Sequence, residues 1–319
     1  MHALLKFRWI KIGVDPVKDI RYEKALYKLF CEEKPDAVLG YTSKPVIYGS
    51  IAAKRAGVKK ITAMITGLGY AFTSQTKKAK IIRMIMSVLY KRAMSSTDTV
   101  IFQNPDDMEQ FTSLGLVKKE KCKLVAGSGV NTERFHPLPY PEKTTFFMLS
   151  RIMNSKGIRE YLEAAKIVKE KYPDTHFMLL GACEGIQDSI GPEELKKYTD
   201  SGIIEHFGET ENVPPYYGKC SVYVLPSYRE GTPRTILEAM ATARPIITTD
   251  APGCRETVKD GENGFLVPVK DAKALSDKML WFVEHPEKIE EMGKKSLEYC
   301  LEKFEVGKVN SDMIKYCNI

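Results

Sequence analysis

The chain has 319 residues, 43% hydrophobic and 28% charged, which marks an ordinary globular protein with room for one large or two medium domains. Lys and Arg number 48 against 41 Asp and Glu, and the formal charge of +7 suits anionic partners such as phosphates, nucleic acid or an acidic lipid surface without choosing among them. Seven scattered cysteines with no Cys-x-x-Cys and five histidines with no ligand spacing exclude a recognisable zinc site or disulfide framework and favour a reducing cytoplasm.

The opening "MHALLKFRWIKIG" is broken by Lys6, Arg8 and Lys11 and is neither a signal-peptide core nor a membrane span. Helical spacing in "IRYEKALYKLFCEEK" leads to a short apolar strand in "PDAVLGYT", then a helix in "KPVIYGSIAAKRAG" that ends at Gly57. The strand "KKITAMITG", the long helix "KKAKIIRMIMSVLYKRAM", the strand "DTVIFQN", the helix "PDDMEQFTSLG" and the strand "KCKLVAGSGV" follow. Pro137, Pro139 and Pro141 then mark a linker. Beyond it the alternation restarts with "TTFFMLSRI", "GIREYLEAAKIVKEKY" and "THFMLLGA", continues through "SVYVLPSY", "TPRTILEAMATA" and "RPIITTD", and closes in helices from about Asp271. Strands alternating with helices imply parallel sheets covered on both faces. The expected fold is therefore α/β, two doubly wound Rossmann-like domains facing across a cleft: residues 1–138, and residues 139–319 with a last helix that crosses back.

The segment "EGTPRTILEAM" carries the most chemistry. Thr232 is a good N-cap residue and Pro233 suits the first helical position, so the spacing predicts a helix from Pro233, whose free N–H groups suit a phosphate. Gly231 leaves the backbone open to close approach. Glu230 falls just outside the helix and Glu238 more than a turn inside. Ionised carboxylates only accept hydrogen bonds, and their natural partners are hydroxyls. A ligand with a central diphosphate and a hydroxyl-bearing sugar at each end satisfies these features together; that is a nucleotide-sugar.

The Glu230-x7-Glu238 spacing, with "GTPRTILEAMATARPIITTDAPGCRETVKDGENGFLV" behind it, resembles the retaining GT-B glycosyltransferases of family 4. So do "LSRIMNSKGI", "GSGVNTERFHP" and "TGLGYAF". The resemblance implies that Arg151 and Lys156 clamp the donor diphosphate, that Glu230 holds hydroxyls of the transferred sugar, and that Glu238 binds the ribose. It also implies that N–H groups at Thr232 and at Arg234 to Thr235 cap the phosphate, and that the base lies near Glu209 to Val213. On the acceptor side it points to Thr66, Gly67 and Gly69, with Thr66 where many relatives carry a histidine. With no Asp-x-Asp motif, nothing calls for a metal or another cofactor at the diphosphate, and turnover is expected to be metal-independent. The "TGLGY" subgroup builds bacterial polysaccharides on polyprenyl diphosphate carriers, so the expected partners are a UDP-sugar and a lipid-linked saccharide at the inner membrane face.

Further expectations qualify this. The family's opening strand and glycine-rich loop have no counterpart, so the expectation is either a fragment or split-gene product needing a partner, or N-terminal residues that replace that strand. Alternatives are then a non-catalytic nucleotide-sugar-binding half, or a sugar-nucleotide epimerase of the same architecture. The helix around residues 77–94 reads equally as a packed helix with a basic edge or as a basic amphipathic helix on an anionic bilayer. Trp9 and Trp281 read as packing residues, and without a stacking platform among the basic residues nucleic acid is not an expected partner.

Overall fold

The computed structural model describes residues 15–68, 72, 76–183 and 188–317, with the side chain of Lys78 excepted. Trp9, Gly69 and the expectation that the first residues replace an opening strand lie outside the described residues.

Helix α1 (Pro16–Glu33) begins at Asp15, whose side chain accepts from Lys18 N at 3.1 Å, with proline at the first helical position. It leads into β1 (Ala37–Tyr41), followed by a π-turn over Pro45–Gly49, α2 (Ser50–Arg55), β2 (Lys60–Ile65), α3 (Lys77–Ser96), β3 (Thr99–Phe102), α4 (Pro105–Ser113) and β4 (Cys122–Leu124). Among the described residues these strands form a parallel sheet in the order 1-2-3-4. With every crossover of one hand, a sheet in sequential order has its helices on one face. Ala63, Ile65, Val100 and Phe102 accordingly pack with Val46, Ile47, Tyr90 and Phe111. The opposite face, Met64 and Ile101 with Val125, is closed by Met313, Tyr316 and Cys317 of the terminal helix, which crosses back from the second sheet. Both faces of the central strands are thus buried, which is why β2 and β3 read as nearly unbroken apolar runs.

The second sheet comprises β5 (Thr145–Leu149), β6 (His176–Leu180), β7 (Glu205–His206), β8 (Val222–Leu225), β9 (Ile246–Thr249) and β10 (Gly264–Val267), all parallel, in the order 10-9-8-5-6-7. Its helices are α5 (Ile158–Lys171), α6 (Pro192–Asp200), α7 (Pro214–Gly218), α8 (Arg234–Ala241), α9 (Ala272–Glu284) and α10 (Glu287–Lys303), and α11 (Val306–Cys317) is the helix that returns to the first sheet. Phe146, Phe147, Tyr161, Tyr217 and Tyr223 lie fully buried in its core. At about 1.5–3 kcal/mol for each large side chain removed from water, these five contribute heavily to that core's stability. Trp281 packs edge-on against Phe265 and Phe282, as a packing residue should.

The proline linker is fastened to the second sheet's side. Val130 and Phe135 already belong to its core. The wholly buried Arg244 donates to the carbonyls of Leu138 (3.1 Å), Pro139 (2.7 Å) and Tyr217 (2.9 Å), and its guanidinium lies 4.2 Å from the Tyr140 ring centroid. Desolvating a guanidinium is costly unless its donors are taken up; here the three carbonyls satisfy Nε and Nη2 and the Tyr140 ring faces the cation, whereas the buried Nη1 has no hydrogen-bond partner among the described residues.

Candidate active site

Strand order reverses between β5 and β8: β6 and β7 extend the sheet on one side of β5, and β8 to β10 on the other. Outside the carboxyl ends of strands at such a point the two exiting loops diverge and leave a crevice. The β5 loop brings Arg151 and Lys156 there, and the β8 loop brings Glu230, Gly231 and the start of α8.

Lys156 sits in a short 3₁₀ turn, Asn154–Lys156, that ends at Gly157 with φ of 77°. A Cβ on Gly157 would meet the Pro226 carbonyl oxygen at 2.1 Å, so only glycine lets the turn lie this close to the β8 exit. The two loops are joined by Tyr228 N donating to Ser155 O at 3.0 Å and Ser227 Oγ donating to the same oxygen at 3.2 Å. That contact carries the Lys156 ammonium onto the Glu230 carboxylate in a half-buried ion pair. Arg151 is exposed at the loop's start.

The helix starts one residue later than its sequence suggests. It runs from Arg234, Pro233 occupies the cap position, and no side chain caps it. Thr232 is not the N-cap: its hydroxyl donates to Gln103 O at 3.1 Å, across the cleft. The amides of Arg234 and Thr235 are the first of α8 and, like the first N–H groups of any helix, have no partner within it. Glu238 lies a turn further in and is buried; its carboxylate accepts from Tyr217 Oη at 2.9 Å and pairs with Arg234 Nε at 3.4 Å. Burial raises its pKa above the usual glutamate value, against the pull of the Tyr217 hydrogen bond and of Arg234 and Arg134.

The first lobe closes the other side. Gly67, at φ of 116°, and Gly231 approach so closely that a Cβ on Gly231 would meet Thr66 O and Gln103 Oε1, each at 2.5 Å. The opening at Gly231 is therefore filled by the opposite lobe rather than left for a ligand. Thr66 and Gly67 also line a small pocket with Thr42, Ser43, Met64, Ile65 and Tyr90, at the carboxyl ends of β1 and β2. Below the cleft, Asn104 Nδ2 donates to Gly231 O (2.9 Å) and Glu230 O (3.2 Å). Arg229 pairs with the fully buried Asp107, and Arg255 with Asp106 at 2.9 Å.

Of the residues expected from sequence, Lys156, Glu230, Gly231, Thr232, Thr66 and Gly67 converge, and Arg234, Thr235 and Glu238 line the adjacent helix. Glu209 is exposed, and Val213, further along the same loop, packs against the second core. Sequence reasoning missed Asn104, Asp107 and Tyr217. The available signal was the polar pair Gln103-Asn104 directly at the carboxyl end of a parallel strand.

Residues 130–298 match the family model described as glycosyl transferases group 1, and residues 4–104 match that described as glycosyl transferase 4-like. A curated relative, the N,N'-diacetylbacillosaminyl-diphospho-undecaprenol alpha-1,3-N-acetylgalactosaminyltransferase of Campylobacter jejuni, is 28% identical over 295 residues, which cover 88% of this chain and 76% of that protein. The UDP-Gal:alpha-D-GlcNAc-diphosphoundecaprenol alpha-1,3-galactosyltransferase of Escherichia coli is 29% identical over 276 residues, covering 81% and 69%. Among solved structures, sucrose-phosphate synthase from Thermosynechococcus elongatus superposes with a TM-score of 0.80 at 20% identity, over 96% of this chain and 79% of that one.

Proposed function

The chain belongs to the glycosyl transferases group 1 family and has the GT-B fold of two facing Rossmann-like domains, and from that premise we propose that it moves a sugar, with retention, from a UDP-sugar to a polyprenyl-diphosphate-linked saccharide in bacterial surface polysaccharide synthesis. Residues 139–319 would bind the donor and residues 1–138 the acceptor. The observation that carries the reading is the meeting of Lys156, Glu230 and the start of α8 at the strand-order reversal of the second sheet. The names of the two relatives supply the acceptor class, and that of the Escherichia coli protein the UDP donor.

The chemistry follows from the donors. An ammonium has three N–H bonds, so Lys156 holds the Glu230 carboxylate with one and retains others for the diphosphate. Arg151 adds a planar fork and the Arg234 and Thr235 amides a helix dipole, so positive charge is in place where the leaving UDP gains negative charge. That charge would stand in the place of a divalent ion. Glu230 would accept from hydroxyls of the transferred sugar, Glu238 from the ribose, and the segment from Glu209 to Val213 would face the base. The pocket at Thr66 and Gly67 opens on the acceptor side.

A lipid-linked acceptor would be met beside a bilayer, and α3 has the surface for that. Ala79, Tyr90, Ala93 and Met94 pack inward, while Ile81, Met84, Ile85 and Val88, at spacing i, i+3, i+4, i+7, are 42–67% exposed. Lys77, Lys80, Lys91 and Arg92 are exposed around this stripe, and the helix contains no acidic residue. A packed inner face and a cationic, apolar outer face suit peripheral attachment to anionic lipid. Among the described residues no helix is long and apolar enough to cross a membrane.

The test is transfer itself. The chain, a panel of UDP-sugars and a polyprenyl-diphosphate saccharide in anionic vesicles should yield extended lipid-linked product in the presence of EDTA. Donor conversion without acceptor would favour an epimerase, UDP-sugar binding without turnover a non-catalytic half, and activity restored only by manganese would overturn metal independence. Reversing the charge of Lys77, Lys78 and Lys80 should release the protein from those vesicles; undiminished sedimentation with them would remove α3 from the reading.

A further inference from the structure

The loop that carries Glu230 belongs to the second lobe, yet its backbone is held by the first. Asn104 is 1% exposed. Its Oδ1 accepts from Asp107 N at 2.8 Å, as the N-cap of α4, and this fixes which way the amide points. The Nδ2 group therefore faces three oxygens: Gly231 O at 2.9 Å, Glu230 O at 3.2 Å and Asp107 Oδ2 at 3.2 Å. On either side of it the loop is seated again, by Arg229 on Asp107 and Gln110 and by Thr232 on Gln103 O. Glu230 N in turn donates to Pro252 O at 2.9 Å, so its main chain is tied at both polar groups.

We propose that Asn104 is a positioning residue of the donor site: reaching across the cleft, its side-chain amide holds the Glu230 and Gly231 carbonyls and so fixes where the Glu230 carboxylate meets the transferred sugar. The inference rests on the reading of Glu230 as the group that takes that sugar's hydroxyls. Its consequence is that the sugar half of the donor site is complete only while the two lobes are in register, whereas the UDP half needs the second lobe alone. An uncharged side chain that caps with its oxygen and donates with its nitrogen is required here. Aspartate caps a helix as well as asparagine does, but in this place it would turn an oxygen toward three others.

That near-isosteric contrast gives the experiment. Calorimetry with free UDP and with UDP-glucose, UDP-galactose and UDP-N-acetylglucosamine identifies the donor and the affinity that its sugar adds over UDP. Asn104→Asp should leave UDP affinity within about twofold, abolish the sugar's increment and lower kcat about tenfold or more, the scale expected for misplacing one hydrogen-bonding group. Asn104→Ser, which keeps a capping oxygen and adds no charge, should lose the increment in part and serves if the aspartate variant does not fold. In a Glu230→Ala background, Asn104→Asp should change kcat by less than about twofold, because the two residues act as one unit. Equal loss of UDP and UDP-sugar binding in Asn104→Asp, or an unchanged increment, would overturn the proposal. If Glu230→Ala itself leaves the increment intact, the reading of Glu230 falls and takes this inference with it; if Glu230→Ala removes it and Asn104→Asp does not, only the inference fails.

Discussion

Glu230 and Glu238 are separated by seven residues and look equivalent in sequence, but the structure holds them in opposite ways. Glu238 is on a helix, buried within one lobe, and its carboxylate is steadied by Tyr217 of the same core. Glu230 is on a loop, its carboxylate engaged by Lys156 from the neighbouring strand exit and its backbone held by Asn104 from the other lobe. On the proposed reading, the difference separates two jobs. A group fixed inside one lobe grips its part of a ligand whether the cleft is open or shut. A group held from both sides is in place only when the lobes are aligned, which suits the part of the ligand that reacts.

The comparison breaks most visibly at Lys156. With the ammonium gone, a half-buried Glu230 carboxylate is left unpaired and the leaving phosphate loses a fixed positive charge. Lys156→Ala should therefore lower kcat by about 10²- to 10³-fold, the range seen when one preorganised charge stabiliser is removed. Glu238→Ala should act instead chiefly on UDP affinity. Steady-state kinetics with product inhibition by UDP separates the two; similar kcat losses in both variants would mean that the carboxylates do not divide the work.

Much of the fold was legible because parallel strands buried on both faces announce themselves as apolar runs between amphipathic helices, and the linker by its prolines. What escaped was non-local. Thr232-Pro233 has the local chemistry of a cap and a first helical residue, yet the threonine hydroxyl is drawn off by Gln103 O, 129 positions away, and the helix starts at Arg234 without a side-chain cap. Gly231 reads as space for a ligand until Thr66 of the other lobe fills it. Asn104 is an ordinary N-cap in sequence, and nothing local reveals that its other end reaches Glu230. The residues proposed to meet a ligand are marked by their chemistry; those that hold them across the cleft depend on a packing that no short pattern encodes.

A smaller effect is expected at Tyr217. Tyr217→Phe keeps the packed ring and removes the hydroxyl that donates to Glu238 Oε2 and Thr235 O. One such hydrogen bond is worth about 1 kcal/mol, so UDP should bind about fivefold more weakly. The increment contributed by the donor sugar should survive, because Glu230 is held elsewhere. Calorimetry with UDP and the UDP-sugar measures both; a lost increment would show that the two carboxylates are coupled after all.

The finest distinction is in pH. Burial raises the Glu238 pKa above its ordinary value of 4.5, whereas accepting from ribose hydroxyls is strongest for the ionised form, which is acceptor-only and charge-assisted. As pH falls through the raised value the carboxylate takes up a proton, so UDP-sugar affinity should weaken at a higher pH than an ordinary glutamate would dictate. A UDP-sugar suits this measurement because its diphosphate is esterified at both ends and does not titrate there. Stability runs the other way. A folded-state pKa above the unfolded one means that the native protein holds the proton more tightly, so this group's contribution is greatest below about 4.5 and is lost as pH rises through the raised value. Acid should thus strengthen the fold at Glu238 while loosening the ligand. Glu238→Gln should flatten both profiles, the first by calorimetry and the second by urea unfolding, since an amide does not titrate. A wild-type affinity profile that coincides with that of the glutamine variant would mean that Glu238 does not carry the ribose as a carboxylate, and that its burial serves the core alone.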